Sequence, residues 1–169
     1  MPAEIERVFL LRALPEPMPA GDAWRIEQGY LPPADGTDPT QLEGRLRRIE
    51  RSDGSLEYVH TVKRGLGLVR EESERAIGRE EFEREWPRTA GRRLRKVRTR
   101  IAHGHHVWEV DRFLDLPLVL AECELGSADE HLEMPAWLAP FVVREVTEEP
   151  AFRNSELARR AGLLGGGGG

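Results

Sequence analysis

The chain of 169 residues contains a single cysteine, Cys123, so no disulfide can form within it. One isolated thiol is typical of proteins from a reducing compartment. The N-terminal segment MPAEIERVFLLR has acids before a short apolar run, whereas a secretory signal has a basic start and a longer apolar stretch. Since no other segment is apolar enough to cross a bilayer, we expect a cytoplasmic protein without a membrane partner.

An excess of positive charge is also missing. The sequence has 25 Lys and Arg against 30 Asp and Glu, which gives a formal net charge of -5. Proteins that coat nucleic acid are usually basic, so this balance argues against a nucleic-acid partner. The run RRLRKVRTR from Arg92 resembles an RNA-binding patch. In a strand, however, only alternate residues share a face, and the outer bases suit a solvated rim.

The composition, 39% hydrophobic and 33% charged, is that of a globular protein with a core. Length and composition predict one domain over residues 1–162, followed by a disordered glycine-rich tail over 163–169. No internal repeat is present, and no pattern specifies an oligomeric state.

Short apolar runs of alternating polarity predict many strands. The candidates are Glu4–Leu11, Trp24–Leu31, Leu42–Arg51, Leu56–Lys63, Val69–Ile77, Arg93–Ala102, Val107–Leu114 and Leu118–Leu125. The turn signals SDGS around Asp53 and HGHH around Gly104 join neighbouring candidates as hairpins.

Helices are in the minority, and short ones are predicted at 79–91, near Ser127 before Pro135, and at 154–161. In the first, Phe82, Trp86 and Ala90 form one apolar face, and Pro87 is expected either to break the helix or to start a second turn. Many strands with few helices indicate a mainly β, antiparallel fold that can close into a barrel.

Pairs of like charges recur in these strands, separated by one residue. They are Glu4 and Glu6, Arg45 and Arg47, Glu72 and Glu74, Lys96 and Arg98, Glu109 and Asp111, and Glu122 and Glu124. Successive side chains of a strand alternate between faces, so each pair points one way. A solvated outer face is the usual explanation for any one such pair.

Repetition of the pattern favours a different explanation. Like charges on one face repel, so several such pairs require opposite charges nearby. A barrel with a polar interior, acids on one wall and bases on another, meets this requirement. Such a lumen suits a polyanion held with divalent cations, because carboxylates coordinate hard metals while Arg and Lys bind phosphate oxygens.

The chain resembles the CYTH superfamily, also called triphosphate tunnel metalloenzymes, in an ordered set of segments. These are EIERVFLL, QGYL, EGRLR, TVK, VREESE, GRRLRKVR, WEVDRF, LAECEL, PAWL and REVTEEPAFRN. The likeness covers nearly all of the chain except the glycine tail, and is greatest to the short bacterial members that are similar to inorganic triphosphatases. It implies an α+β, mainly β fold: an eight-stranded antiparallel barrel that forms a tunnel, with a few helices packed outside.

The resemblance implies a metal-dependent hydrolase of inorganic triphosphate (tripolyphosphate), or of a related linear triphosphate, with Mg²⁺ or Mn²⁺ as cofactor. Thiamine triphosphatase or adenylyl cyclase-like activity occurs on the same fold. A non-catalytic protein that binds polyphosphate or nucleotide is the alternative from a different functional class.

The resemblance also implies three groups of site residues. The metal-binding acids are Glu4, Glu6, Asp111, Glu122 and Glu124, to which Glu109 is added because it shares their face. The phosphate-binding bases are Arg45, Arg47, Lys63, Arg70, Lys96 and Arg98. Lys96 and Arg98 are expected to stabilise charge during catalysis, while Glu72 and Glu74 orient the bases or bind metal-bound water.

One position departs from the family motif. The lysine of its ExExK signature falls at Val8, so one phosphate-binding ammonium is missing. A charge-assisted hydrogen bond contributes about 1.5–3 kcal/mol, so we expect catalysis to be slowed or lost unless a neighbouring base fills the gap. Arg7 points to the opposite face of a regular strand. Val8 is therefore the feature that favours the non-catalytic alternative.

Two further signals have simple structural interpretations. His103, His105 and His106 of HGHH could form a transition-metal site, but their place at a hairpin tip favours an exposed turn. Cys123 lies between two inward acids and should face the core, buried and inert.

Overall fold

The computed structural model describes residues 3–32, 42–64 and 68–165. Its strands are β1 (Ala3–Leu11), β2 (Asp22–Tyr30), β3 (Leu42–Glu50), β4 (Leu56–Arg64), β5 (Val69–Ala76), β6 (Arg93–His103), β7 (His106–Phe113), β8 (Val119–Glu124) and β9 (Val142–Glu145). The α-helices in the described ranges are α1 (Arg79–Glu85) and α2 (Asn154–Gly165), with 3₁₀ turns at Trp86–Thr89, Ala139–Phe141 and Pro150–Phe152. Each predicted strand is confirmed, with small shifts at the ends.

The strands form an antiparallel sheet in the order β5-β4-β3-β2-β6-β7-β8-β1-β9, and β1 also pairs with β5. This additional pairing closes eight strands into a barrel, which confirms the expected architecture. One edge of β1 is shared, because Ala3–Ile5 pair with β5 whereas Phe9–Leu11 pair with β9. The other edge of β1 pairs with β8 from Glu6 to Leu11.

A hydrophobic core lies on the outer face of β1, β7 and β8. It contains Phe9, Trp108 and Cys123, and is covered by Leu138 from the segment that follows β8. The aromatic rings of Phe9 and Trp108 lie 5.7 Å apart. Burial first, and then the nearby acids, raise the pKa of the Cys123 thiol to about 12, so this thiol stays protonated and a poor nucleophile.

A second core closes one end of the barrel. Inward side chains at this end of the strands, among them Tyr30, Leu94 and Phe113, pack against Leu157 and Ala158 of α2. Helix α2 therefore covers the barrel end, whereas α1 lies outside, where Phe82 stacks on the ring of Trp86 and meets the ring of Tyr58 in a tilted contact.

An apolar cluster narrows the interior towards the other end of β2. Its members are Trp24, Ile26, Ile49 and Val59. The guanidinium groups of Arg51 and Arg100 lie 3.9 and 4.8 Å from the centre of the Trp24 ring. The charged part of the interior lies between these two apolar ends.

The helix predicted near Ser127 is wrong, because this segment is irregular up to Leu138. Its polar side chains bond locally instead: Ser127 Oγ donates to Asp129, and Glu130 accepts the Gly126 N–H. Such bonds offer the backbone an alternative to the helix. The predicted break at Pro87 is confirmed, since α1 ends at Glu85 and a 3₁₀ turn follows.

At the C-terminus α2 continues to Gly165, so residues 163–165, predicted to belong to the disordered tail, are helical. The rest of that predicted tail, residues 166–169, lies outside the described residues. Within the described ranges no helix combines the length and apolarity needed to cross a bilayer.

Candidate active site

Alternation along the strands directs the recurring charged pairs into the barrel. Those buried there are Arg45, Arg47, Lys63, Lys96, Arg98, Asp111 and Glu122. Those only partly buried are Glu4, Glu6, Arg70, Glu72 and Glu109, while Glu74 and Glu124 are exposed at the rims. The structure thus brings the predicted site residues to one interior surface.

Arg98 is the centre of an extensive network of ion pairs. It donates to both carboxylate oxygens of Asp111, at 2.8 and 2.9 Å. It also donates to Glu122 at 3.1 Å and to Glu109 at 3.3 Å. Three carboxylates around one buried guanidinium, led by Asp111, hold the pKa of Arg98 well above its usual range despite the opposing effect of burial.

Lys96 extends this network towards α2. Its Nζ lies 2.8 Å from Asp111 Oδ2 and 3.3 Å from Asn154 Oδ1. Burial lowers the pKa of Lys96, although Asp111 opposes that effect. Burial would raise the pKa of Asp111, but Arg98 and Lys96 outweigh it and bring this pKa down to about 2. Asp111 is therefore a carboxylate at neutral pH.

A second group of ion pairs lies on the wall formed by β1, β4 and β5. Lys63 Nζ is 3.0 Å from Glu4 Oε2. Burial opposes ionisation of Glu4, yet the charge and hydrogen bond of Lys63 bring its pKa below the usual value. Burial and then the charge of Glu4 raise the pKa of Glu72 to about 7.

Arg47 lies on β3, next to this wall. It donates to Glu74 at 3.1 Å, and Thr61 Oγ1 donates to the same carboxylate oxygen at 3.2 Å. Burial, together with the charges of Arg45 and Arg98, lowers the pKa of Arg47 to about 9. This guanidinium still carries its charge near neutral pH.

Glu6 and Glu122 are two interior acids whose nearby positive charges do not offset the effects of burial and of repulsion between acids on their pKa values. Burial and then the charge of Glu122 raise the pKa of Glu6 well above its usual value. The pKa of Glu122 is raised by burial and by Asp111, and Arg98 and Lys96 only partly offset this. Two interior carboxylates that repel each other would be stabilised by a divalent cation, so this donor set fits Mg²⁺ or Mn²⁺.

Both acids line a pocket that is formed by several elements of the fold. Its lining includes Arg45, Lys63 and Arg70 from the barrel wall, and Arg153 and Asn154 at the start of α2. Arg153 and Asn154 belong to the sequence motif REVTEEPAFRN. The pattern of alternating charges did not predict them as site residues, because they lie outside the strands of the barrel.

Val8 lies in the wall of the same pocket. Its N–H donates to Thr147 Oγ1 at 3.0 Å, and its carbonyl accepts the Val146 N–H at 2.8 Å. The side chain packs against the core beneath α2. The position that the family motif gives to lysine is therefore part of the pocket, but here it is apolar.

A search against models of known protein families finds no match for this chain. The chain is 37% identical over 164 residues to an inorganic triphosphatase of Nitrosomonas europaea, and the match covers 92% of this chain and 96% of that protein.

Comparison with solved structures also shows similarity to an inorganic triphosphatase. The crystal structure of an inorganic triphosphatase matches with a TM-score of 0.59 and 34% identity, over 94% of this chain and 96% of the other. A Hippeastrum protein with a dominant triphosphatase activity matches with a TM-score of 0.54 and 15% identity, over 73% of this chain and 80% of the other, which shows the fold alone. The barrel is closed, its interior is charged, and the chain is similar to the Nitrosomonas protein over nearly the full length. The chain therefore belongs to the CYTH superfamily of triphosphate tunnel enzymes.

Proposed function

We propose that the protein hydrolyses inorganic triphosphate, or a related linear triphosphate, inside the barrel with the help of Mg²⁺ or Mn²⁺. The observation that carries this proposal is the pocket itself, in which the acids Glu6 and Glu122 lie beside Arg45, Lys63 and Arg70. A substrate with several negative charges and a divalent cation would together balance both sets of charges. The inorganic triphosphatase activity of the Nitrosomonas relative supports the same reaction.

Glu6 and Glu122 are the centre of the proposed metal site, with Glu4 and Glu124 at its sides. A bound divalent cation would neutralise the charge of the phosphate oxygens and help to activate the attacking water. Glu109 and Asp111 bond to Arg98 and, unlike Glu4, Glu6 and Glu122, do not line the pocket, so we assign them to positioning that guanidinium. This assignment narrows the predicted metal set from six acids to four.

The bases have two roles in the proposal. Arg45, Lys63 and Arg70 bind the substrate along the pocket, and Arg47 extends this surface deeper into the barrel. Lys96 and Arg98 stabilise the negative charge that spreads over the phosphoryl oxygens in the transition state. Both are held in place by Asp111, and charge stabilisation is most effective when the donors are already oriented.

Glu72 and Glu74 complete the set on the β5 wall. Glu74 accepts hydrogen bonds from Arg47 and Thr61, which suits a role in orienting Arg47. Glu72, with a pKa of about 7, can gain or lose a proton near neutral pH. We propose that it accepts a proton from water during the reaction.

Arg153 is our candidate for the base that replaces the lysine missing at Val8. Both residues line the same pocket, but Val8 belongs to β1 whereas Arg153 directly precedes α2, outside the strands of the barrel. The guanidinium of Arg153 would therefore contact a bound phosphate chain from a different side than the side chains of β1 do.

Phosphate release from tripolyphosphate, measured with Mg²⁺, with Mn²⁺ and with a chelator, tests the proposal. We expect metal-dependent release. Thiamine triphosphate and ATP should be compared, and formation of cyclic AMP from ATP would support the cyclase alternative. Tight binding of tripolyphosphate without release would instead support the non-catalytic alternative that Val8 favours. A cytoplasmic location is part of the proposal, because the single buried thiol fits a reducing compartment.

A further inference from the structure

The hairpin that joins β6 to β7 carries histidines on the outside of the barrel. Gly104 turns the chain with a φ of 64°, and His103 pairs with His106 across the strand ends. His106 lies on the same face of β7 as Trp108, which belongs to the outer core. The His106 ring is therefore on the opposite side of the sheet from the acids of the interior, although it is 8% exposed and well buried.

The irregular segment 126–134 lies against this hairpin. Glu130 Oε2 is 2.9 Å from Nε2 of His106, and the rings of His105 and His106 are 4.1 Å apart. One ligand atom from each of His105, His106 and Glu130 can be chosen so that all lie within 4.8 Å of one another. In a tetrahedral zinc site with bonds of about 2.0–2.2 Å, ligand atoms are about 3.3 Å apart, so a small movement of the exposed His105 would complete the geometry.

We propose that His105, His106 and Glu130 bind a transition-metal ion, with Zn²⁺ as the best match. Two imidazoles with one carboxylate are typical ligands of zinc, whereas Mg²⁺ prefers oxygen alone. The site is thus chemically different from the interior acids and independent of the proposed hydrolysis.

The surroundings of Glu130 support this proposal. The Gly126 N–H donates to the same carboxylate oxygen at 3.2 Å, which orients the group as hydrogen bonds to metal ligands commonly do.

The site connects two segments that are separated in the sequence but lie side by side in the fold. His105 and His106 belong to the hairpin, while Glu130 belongs to the segment that follows β8. A second contact, 3.8 Å between His103 Nε2 and Glu133 Oε1, joins the same two parts. The bound ion fastens the irregular segment to the hairpin, so its effect is on stability more than on turnover.

Zinc binding to the full chain tests the proposal, measured by calorimetry with excess Mg²⁺ to occupy the interior acids. Wild-type protein should bind one Zn²⁺ ion at this site and melt at a higher temperature with it. His105→Ala and Glu130→Gln should each bind Zn²⁺ at least about tenfold more weakly and lose the rise in melting temperature. His105 is exposed, so its replacement should leave the fold intact.

His131→Ala is the matched control, because this exposed histidine lies in the same segment but outside the three-residue group. It should bind Zn²⁺ as the wild type does, and so should Glu122→Gln in the interior. Failure of the wild type to bind Zn²⁺, or unchanged binding in both His105→Ala and Glu130→Gln, would overturn the proposal. Neither result bears on phosphate release, so the two proposals fail separately.

Discussion

Val8 on β1 is the direct antiparallel partner of Glu122 on β8. Direct partners in such a pair point to the same face, so an apolar side chain lies beside a buried carboxylate whose pKa is raised by burial and by Asp111. A lysine at this position would offset that repulsion and would also add a donor to the pocket. The departure from the family motif therefore affects both the acids and the phosphate-binding surface.

Val8→Lys should increase the rate of tripolyphosphate hydrolysis. A new charge-assisted contact contributes about 1.5–3 kcal/mol, which corresponds to an increase in kcat/KM of about tenfold or more. Val8→Met is the matched control, because methionine has similar length without charge. If the lysine variant is no faster than the methionine variant, Val8 does not limit catalysis.

Glu6→Gln should separate function from stability. The neutral amide replaces an interior acid whose pKa is raised by desolvation and by Glu122, so the metal-free variant should melt at or above the wild-type temperature at pH 7.5. Metal-dependent phosphate release, and the stabilisation by Mg²⁺, should be abolished. Glu83→Gln on the exposed side of α1 is the control for loss of one charge. Full activity in Glu6→Gln would refute the proposed metal site.

The metal-free protein should lose stability as the pH rises from about 4.5 to 7. The pKa of Glu72 is raised from 4.5 to about 7 in the folded state. The folded state thus binds more protons than the unfolded state in this window, and the free energy of unfolding falls as the pH rises. The shifts of Glu6 and Glu122 act in the same direction, whereas that of Asp111 acts at lower pH.

Melting curves at pH 5, 6 and 7.5 with a chelator present would measure this slope. Glu72→Gln should flatten it, and Mg²⁺ should flatten it in the wild type, because the cation stabilises the ionised acids. A melting temperature that rises steadily over this range would contradict the assignment of raised pKa values to the interior acids.

Asp111→Asn should destabilise the fold strongly. It removes the shared partner of Arg98 and Lys96, all of which are buried, and breaking a buried ion pair costs about 3–5 kcal/mol. Glu145→Gln, which breaks the partly exposed pair with Arg7, should cost about 1 kcal/mol or less. Urea unfolding of both variants measures the difference, and equal losses would show that the interior network contributes little to stability.

Alternation along single strands was enough to predict which charges share a face of the sheet. Lys96 and Arg98 lie two apart on one strand, and so do Glu122 and Glu124, so the face of each followed from the backbone alone. The partners of these charges depend on sheet order. The ion pair between Glu4 and Lys63 forms because closure brings β1 beside β5 and β4, and no local pattern contains that information.

The features that the sequence did not predict lie where short-range signals are weak. β9 is only four residues long and pairs with part of one edge of β1, so its existence depends on that edge being available. The segment after Ser127 contains residues that suit a helix, but Glu130 bonds to His106 on the hairpin instead. Arg153 reaches the pocket only because α2 packs across the barrel end.

The divided edge of β1 has a consequence for hydrogen exchange. Among the described residues of β1, only Ala3–Ile5 pair with β5, while longer ladders join other neighbouring strands of the ring. Opening at this junction breaks the fewest backbone bonds, so amide protons here should exchange with deuterium before those of β6 and β7. The barrel would then open transiently at the junction of β1 and β5, next to Glu4 and Arg70. A bulky anion bound to both strands would slow the exchange at this junction.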